Sequence, residues 1–160
     1  MATTIGNIPQ PANRVKQYLG GRPMGEVRGK VRLTNAFDAM RFETGEIGEN
    51  EVRWVEADAM VDTGAVATVI PQEVADELGV GIRTHRATRY ADGREDTVGV
   101  TFPLFVEIEG RDTTEECLVL GDEVLVGQTV LEKTDLLVDC TNARLVPNPE
   151  HPDHPVLKVK

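Results

Sequence analysis

The sequence predicts an all-β, mainly antiparallel domain with one or two short helices. Three observations support this fold class. Apolar and polar residues alternate at a period of two in several segments, turn signals rich in Gly, Asn and Asp separate these segments, and helical spacing occurs only in short stretches. The length of 160 residues fits one domain with a sizeable core. We divide the chain into a flexible N-terminal arm, a folded domain and an extended C-terminal tail, which span residues 1–25, 26–147 and 148–160.

The composition argues against several classes of function. With 17 basic and 27 acidic side chains, the formal net charge is −10, which disfavours electrostatic binding to nucleic acid or to anionic membranes. The apolar runs are too short to span a bilayer and the N-terminus lacks a signal-peptide pattern, so we expect a cytoplasmic protein. The sequence contains no serine, which excludes Ser-His-Asp catalysis.

The first two strands are predicted to form a hairpin. Between residues 27 and 33, valine and leucine alternate with arginine and lysine, which is the pattern of a half-buried strand. A second strand is expected over residues 51–61. The segment 44–50 contains the Gly and Asn typical of a turn, so we predict that it connects the two strands directly.

A short helix is predicted to begin at Pro71, because proline suits the first helical position. Val74 and Leu78 lie four residues apart and so share one helical face. Gly79 follows them and is a common C-terminal stop. The acidic side chains of this helix are expected to point to solvent.

The next segments predict a hairpin and a long strand. Asp92-Gly93 is a strong two-residue hairpin signal, so residues 86–90 should pair antiparallel with residues 94–100. From residue 98 to residue 108 the apolar side chains share one parity, which predicts a single long strand.

The rest of the chain indicates short strands, turns and one further helix, expected over residues 128–134. The tail is rich in proline and should be extended, and residues 156–160 are a candidate edge strand. The other predicted strands or short apolar runs are 117–120, 124–127, 136–138 and 143–146, with turns at 110–112, 121–122 and 141–142.

The cysteines and histidines give weak signals for a metal site. Cys117 and Cys140 lie in apolar surroundings, and we expect both to be buried, reduced thiols. His151 and His154 form an HxxH pattern, but they lie among prolines without a nearby third ligand, which favours a solvated tail. We therefore predict no metal and no organic cofactor.

The segment from residue 59 to residue 71 carries the strongest chemical signal. An apolar strand leads to Asp62, then Thr63, Gly64 and Ala65 turn the chain, and a second apolar stretch follows. Asp-Thr-Gly is also a good turn sequence, but a turn Asp usually has polar neighbours, whereas Asp62 lies between two apolar stretches. Burying an unpaired carboxylate is costly, so such a group usually has a partner or a function.

These residues resemble the signature of the retropepsin-like aspartic proteases, the retroviral-type proteases of clan AA, in a bacterial-type single-domain form. Residues 62–65 match the Asp-Thr-Gly-Ala core of that signature, and residues 68–70 match the triplet that follows it. A second family element, two apolar residues and a glycine that open a short helix, is matched by Leu125, Val126 and Gly127. A family flap is matched in position by Tyr90, Ala91, Asp92 and Gly93.

The resemblance implies a small, closed-barrel-like acid-protease fold and an aspartic endopeptidase that cleaves peptide or protein substrates. Such enzymes need two carboxylates that share one proton. Because Asp-Thr-Gly occurs once in this chain, the resemblance implies a homodimer in which Asp62 of each copy forms the catalytic pair. It also implies support from Thr63, which bonds across the two-fold axis, from Gly64, which lets the chains approach, and from Ala65. The tail could supply a strand to the dimer interface.

Two other interpretations stay open at this point. One is a dimer that binds peptides or assembles without catalysis and retains the fold. The other is a monomeric β domain in which Asp62 merely caps a turn.

Overall fold

The computed structural model describes residues 15–16 and 26–159. The predicted N-terminal arm lies outside the described residues apart from Val15 and Lys16, and so does Lys160 at the end of the tail. The described residues form the strands β1 (Val15–Lys16), β2 (Val27–Asn35), β3 (Trp54–Val61), β4 (Val69–Ile70), β5 (Ile82–Arg89), β6 (Glu95–Thr101), β7 (Leu104–Ile108), β8 (Arg111–Glu115), β9 (Leu118–Val119), β10 (Leu125–Val126), β11 (Leu136–Asp139) and β12 (Arg144–Pro147). They also form the helices α1 (Ala36–Glu43), α2 (Gln72–Leu78) and α3 (Gln128–Thr134), and a 3₁₀ turn at Glu49–Glu51.

One curled, half-barrel sheet of ten strands dominates the fold, which confirms the predicted all-β, mainly antiparallel class. The strand order is β5-β6-β9-β4-β10-β3-β2-β7-β8, and β1 pairs with β3 beyond this path. β10 lies between β3, to which it is parallel, and β4, to which it is antiparallel. β11 and β12 form a separate hairpin, as predicted.

Strands β2 and β3 pair antiparallel as predicted, but helix α1 begins the connection between them. The sequence pattern does not predict this helix. The Asn35 side chain caps it by accepting a hydrogen bond from the Asp38 N–H at 3.1 Å. Asp38 is buried and accepts bonds from the Arg53 guanidinium at 2.7 and 3.0 Å. β3 consequently begins at Trp54, later than expected.

The predicted long strand is wrong, because Phe102 and Pro103 divide it into β6 and β7. Proline has no N–H to donate to a sheet. The Phe102 N–H bonds to the Gly81 carbonyl at 2.9 Å instead of to a strand partner. The two halves then pair with different strands, β6 with β5 and β9, and β7 with β2 and β8.

Several other local predictions are confirmed, but the tail differs: residues 149–154, predicted to be extended, form turns and bends, and residues 155–159 are not in a strand. Helix α2 is confirmed, with Pro71 as the capping residue before it and Gly79 after it in the left-handed region at φ 59°. Helix α3 has the predicted bounds. The β5–β6 hairpin is also confirmed around Asp92-Gly93. At residues 110–112, where only a turn was expected, strand β8 begins.

The hydrophobic core lies between the curled sheet and the apolar faces of α2 and α3. Valine, leucine and isoleucine provide most of it, in line with the low aromatic content of the chain. Within the part of the chain that the structure describes, no helix has the length and apolar character required to cross a membrane.

Candidate active site

Asp62 follows directly after β3 and is held by the neighbouring strand. Its backbone N–H donates to the Val126 carbonyl at 3.0 Å, which continues the parallel pairing of β3 with β10. The side chain is half-buried in the single chain. The fold therefore presents this carboxylate at the end of a buried strand, close to solvent.

The residues after Asp62 form a tight turn that orients its carboxylate. Asp62 Oδ1 accepts a hydrogen bond from the Gly64 N–H at 2.8 Å, and the Asp62 carbonyl accepts one from the Ala65 N–H at 3.2 Å. Thr63 and Gly64 are exposed, while Ala65 is half-buried. The turn thus fixes one carboxylate oxygen through the backbone and leaves its own tip accessible to another molecule.

The second sequence element packs against the loop that follows this turn. The Gln128 N–H donates to the Ala65 carbonyl at 2.7 Å. The Gly127 N–H donates to the hydroxyl of Thr68, a fully buried side chain, at 3.2 Å. A Cβ atom at Gly127 would lie 2.5 Å from the Ala67 carbonyl oxygen, so only glycine allows this approach. The structure thus brings Asp62–Ala65 together with Leu125–Gly127.

The proposed flap is the exposed tip of the β5–β6 hairpin. The Tyr90 N–H bonds to the Arg94 carbonyl at 2.8 Å, and the Gly93 N–H bonds to the Tyr90 carbonyl at 2.9 Å. Gly93 has φ +86°, a conformation that favours glycine. Arg94 forms an ion pair with Asp92 and stacks over the Tyr90 ring, with Ala91 exposed beside them. These hydrogen bonds hold the tip together within the hairpin and do not join it to Asp62.

A cavity of about 740 Å³ opens beside the Asp-Thr-Gly turn. Thr63 lies on its wall, together with residues of α3, β11 and the C-terminal tail. Leu137 and Leu157, which are 46% and 63% exposed, contribute apolar surface to this wall, as does Val156. The turn is therefore continuous with an exposed apolar surface.

Asp135 anchors the tail that borders this cavity. Its carboxylate accepts hydrogen bonds from the Asn148 amide at 3.0 Å and the Val156 N–H at 3.1 Å, and it contacts His151 Nδ1 at 2.6 Å. These bonds, led by that from Asn148, lower the pKa of Asp135 to about 2. The guanidinium of Arg111 adds a bond to the His151 carbonyl at 2.6 Å.

The cysteines and histidines differ from expectation. Cys117 is buried, and burial together with the charge of Glu115 raises its pKa to about 12. Cys140 is exposed, so its predicted burial is wrong, because it occupies the turn between β11 and β12. His151 is bound to Asp135, and so is not the solvated residue expected there. No group of three or more His, Cys, Asp or Glu side chains is placed to hold a metal ion within residues 26–159.

Two residues near the loop after Asp62, Thr129 and Glu115, are not among the residues predicted from the sequence. The Thr129 hydroxyl lies 3.1 Å from the Val66 carbonyl and 3.3 Å from Glu115 Oε2. Thr68, which accepts the Gly127 N–H, belongs to the triplet 68–70 that was matched from the sequence. Thr129 and Glu115 carry no such local signal, because their partners come from distant segments.

Comparisons with known proteins identify the family. A comparison with curated proteins finds no match. Among solved structures, the solution structure of the simian foamy virus (mac) protease is similar, with 20% identity and a TM-score of 0.38 over 48% of this chain and 81% of that one. A family model described as "gag-polyprotein putative aspartyl protease" matches residues 44–133, more than half of the chain. The chain therefore belongs to this family of retroviral-type aspartyl proteases.

Proposed function

We propose that the chain is an aspartic endopeptidase that acts on peptide or protein substrates as a homodimer. The observation that carries the proposal is the geometry of Asp62, a half-buried carboxylate at a strand end with Oδ1 oriented by the Gly64 N–H. Membership of the aspartyl protease family supports the same chemistry. No metal or organic cofactor enters the proposed reaction.

The proposed reaction uses one Asp62 from each copy. One carboxylate, as general base, takes a proton from a water molecule whose oxygen attacks the scissile carbonyl carbon. The other carboxyl group is protonated and donates to the carbonyl oxygen. When the tetrahedral intermediate collapses, the C–N bond breaks and the leaving amine takes a proton from the pair. Two carboxylates a few ångströms apart favour this shared proton because both cannot be charged at once.

The homodimer follows from the number of motifs and from the exposure of the turn. Asp-Thr-Gly occurs once in this chain, so the second carboxylate has to come from another copy. Thr63 and Gly64 are exposed at the tip of the turn and are small enough for two copies to approach. A two-fold axis through this tip would bring the two Asp62 side chains together. We assign Thr63, Gly64 and Ala65 to active-site support on this basis.

The β5–β6 hairpin tip, with Tyr90, Ala91, Asp92 and Gly93, is the proposed flap. Its exposed position and self-contained hydrogen bonds would allow it to close over a bound peptide without disrupting the core. We assign Leu125, Val126 and Gly127 to the support of the catalytic turn. The cytoplasmic location expected from the sequence stays a prediction.

Substitution of Asp62 by asparagine tests this proposal. Asp62→Asn should lower the cleavage rate of an unfolded protein substrate by about 10²–10⁴-fold or more, because the general base and acid are lost. Asp139→Asn is the matched control, since Asp139 also ends an apolar strand but bonds to Asn142 and Arg144. The control should retain wild-type cleavage.

Three further observations would decide between the interpretations. Statine-type transition-state mimics should inhibit the wild-type protein. A wild-type dimer that is inert on diverse peptides from about pH 3 to 8, where carboxyl and imidazole groups titrate, would favour a non-catalytic peptide-binding or assembly dimer. A monomer at micromolar concentration would instead favour a domain in which Asp62 only caps a turn.

A further inference from the structure

A buried carboxylate contacts helix α3, which in turn bonds to the loop that follows Asp62. Glu115, at the end of β8, has a side chain that is only 8% exposed. Its Oε1 lies 2.9 Å from Lys133 Nζ, and its Oε2 lies 3.3 Å from the hydroxyl of Thr129. Both partners belong to α3, the helix that opens with the second sequence element. A buried charge of this kind is costly unless it is paired, and here α3 supplies both partners.

Thr129 connects this carboxylate to the loop that follows Asp62. Its backbone N–H and its hydroxyl both lie within hydrogen-bond distance of the Val66 carbonyl, at 3.2 and 3.1 Å. A hydroxyl carries a single proton, so Thr129 shares it between the Val66 carbonyl and the Glu115 carboxylate. The side chain thus lies between the loop and a charge fixed in the core.

The loop depends on such anchors because its own side chains contribute little packing. Val66 is 72% exposed, and Thr63 and Gly64 are exposed as well. Its position is set instead by hydrogen bonds from the start of α3, from Gln128 to Ala65 and from Thr129 to Val66. A shift at Val66 would be passed to Asp62 through only three intervening residues.

We propose that Thr129 is a positioning residue for the catalytic turn, which it holds through the Val66 carbonyl while Glu115 fixes the orientation of its hydroxyl. The inference rests on the proposed function and extends it to a residue that does not touch the substrate. The charge of Glu115 is balanced by Lys133, which also donates to the Thr114 carbonyl at 3.0 Å. α3 is thereby fixed to β8 on one side and to the loop on the other.

Removal of the Thr129 hydroxyl tests the inference. Thr129→Val should lower kcat about tenfold, the size expected from the loss of one hydrogen bond in the transition state, and should leave KM within about twofold. Thr129→Ser retains the hydroxyl and should restore kcat. Active sites are counted by titration with a statine-type inhibitor, so that unfolded protein does not enter kcat.

Thr134→Val is the matched control, because it makes the same hydroxyl-to-methyl change at a buried position of the same helix. The Thr134 hydroxyl donates to the Val130 carbonyl within α3 at 2.6 Å and does not contact the loop. This control should lower the melting temperature without changing kcat per active site. If Thr129→Val loses stability but has wild-type kcat per active site, Thr129 is merely structural and the inference is wrong.

A second measurement separates this inference from the proposed function. The Gly64 amide proton is bonded to Asp62 Oδ1, so its NMR resonance reports the position of the turn with or without catalysis. It should shift in Thr129→Val and stay in place in Thr129→Ser and Thr134→Val. An unshifted Gly64 resonance would overturn the inference even for an active enzyme. A wild-type protein without cleavage would overturn the proposed function, while a Gly64 shift in Thr129→Val would still support the positioning role.

Discussion

At the scale of single residues, the site depends on one position where no side chain fits. Gly127 approaches the backbone of residues 66–67 closely. A Cβ atom at this position would lie 2.5 Å from the Ala67 carbonyl oxygen and 2.7 Å from the Val66 carbonyl oxygen. The same backbone segment leads from Asp62 to the buried Thr68. A methyl group at Gly127 would therefore displace the loop that follows Asp62 and its turn.

Gly127→Ala should consequently destabilise the fold by about 3 kcal/mol, the upper end for overpacking, and should abolish cleavage. Chemical denaturation and a peptide-cleavage assay measure the two effects. Gly81→Ala is the control, because a Cβ there meets the Phe102 ring at 3.4 Å, an ordinary contact. The control should change stability by less than about 1 kcal/mol. Equal behaviour of the two variants would show that the close approach of Gly127 is unimportant.

The sequence predicted the residues of the two motifs but not the contacts that support them. Asp62 and its turn are contiguous, so a local pattern reveals them. The bond from Gly127 to Thr68 joins residues 59 positions apart, and the one from Thr129 to Val66 joins residues 63 apart. A threonine hydroxyl can bond to water at the surface or to a buried polar group, and only the fold determines which partner it contacts.

At the scale of elements, the sequence predicted the helices whose buried apolar residues recur at a regular spacing. α2 and α3 bury apolar residues at helical spacing and were found. α1 was missed because Phe37 and Met40 on it stay about half exposed, so no apolar stripe marks it. Its position depends on the Asn35 cap and on the ion pair of the buried Asp38 with Arg53. The alternation of apolar and polar residues also predicted β6 and β7 as one strand, because this alternation continues across the break before Pro103.

The tail is an element whose attachment should depend on pH. The pKa of Asp135 is about 2, below its ordinary value of 3.8, so its contribution to stability is present above about pH 4 and is lost as the pH falls through about 2. The Val156 N–H donates to this carboxylate, and its NMR resonance should titrate with a midpoint near 2. Asp135→Asn should remove the transition. A midpoint near 4 would show that the hydrogen bonds of the tail do not stabilise the charged carboxylate.

At the scale of the whole molecule, association has to overcome like charge. Each chain carries a formal net charge of −10, so two copies repel each other and the repulsion is greatest at low salt. Leu137, Val156 and Leu157 provide apolar surface beside Thr63 that a second copy could cover. In the proposed dimer, burial of these side chains offsets the repulsion.

Leu157→Asp should therefore weaken the dimer by about 10–100-fold, because burying one leucine is worth about 1.5–3 kcal/mol and the new charge adds repulsion. Sedimentation velocity over a range of concentrations measures the change. Met40→Asp is the control, since Met40 is 54% exposed on α1, which packs against β2. If both variants retain wild-type association, the tail does not contribute to the interface.

The two cysteines differ in a way that is useful for testing the proposed dimer. Thiolates react with labels far faster than thiols, so the buried Cys117, with its pKa near 12, should stay unmodified while the exposed Cys140 reacts. Cys140 follows β11, the strand that carries Leu137 on the cavity wall. The native chain thus offers one attachment point for a nitroxide spin label. In the proposed dimer, the distance between two such labels, measured by pulsed electron resonance, would constrain the position of the second copy without any mutation.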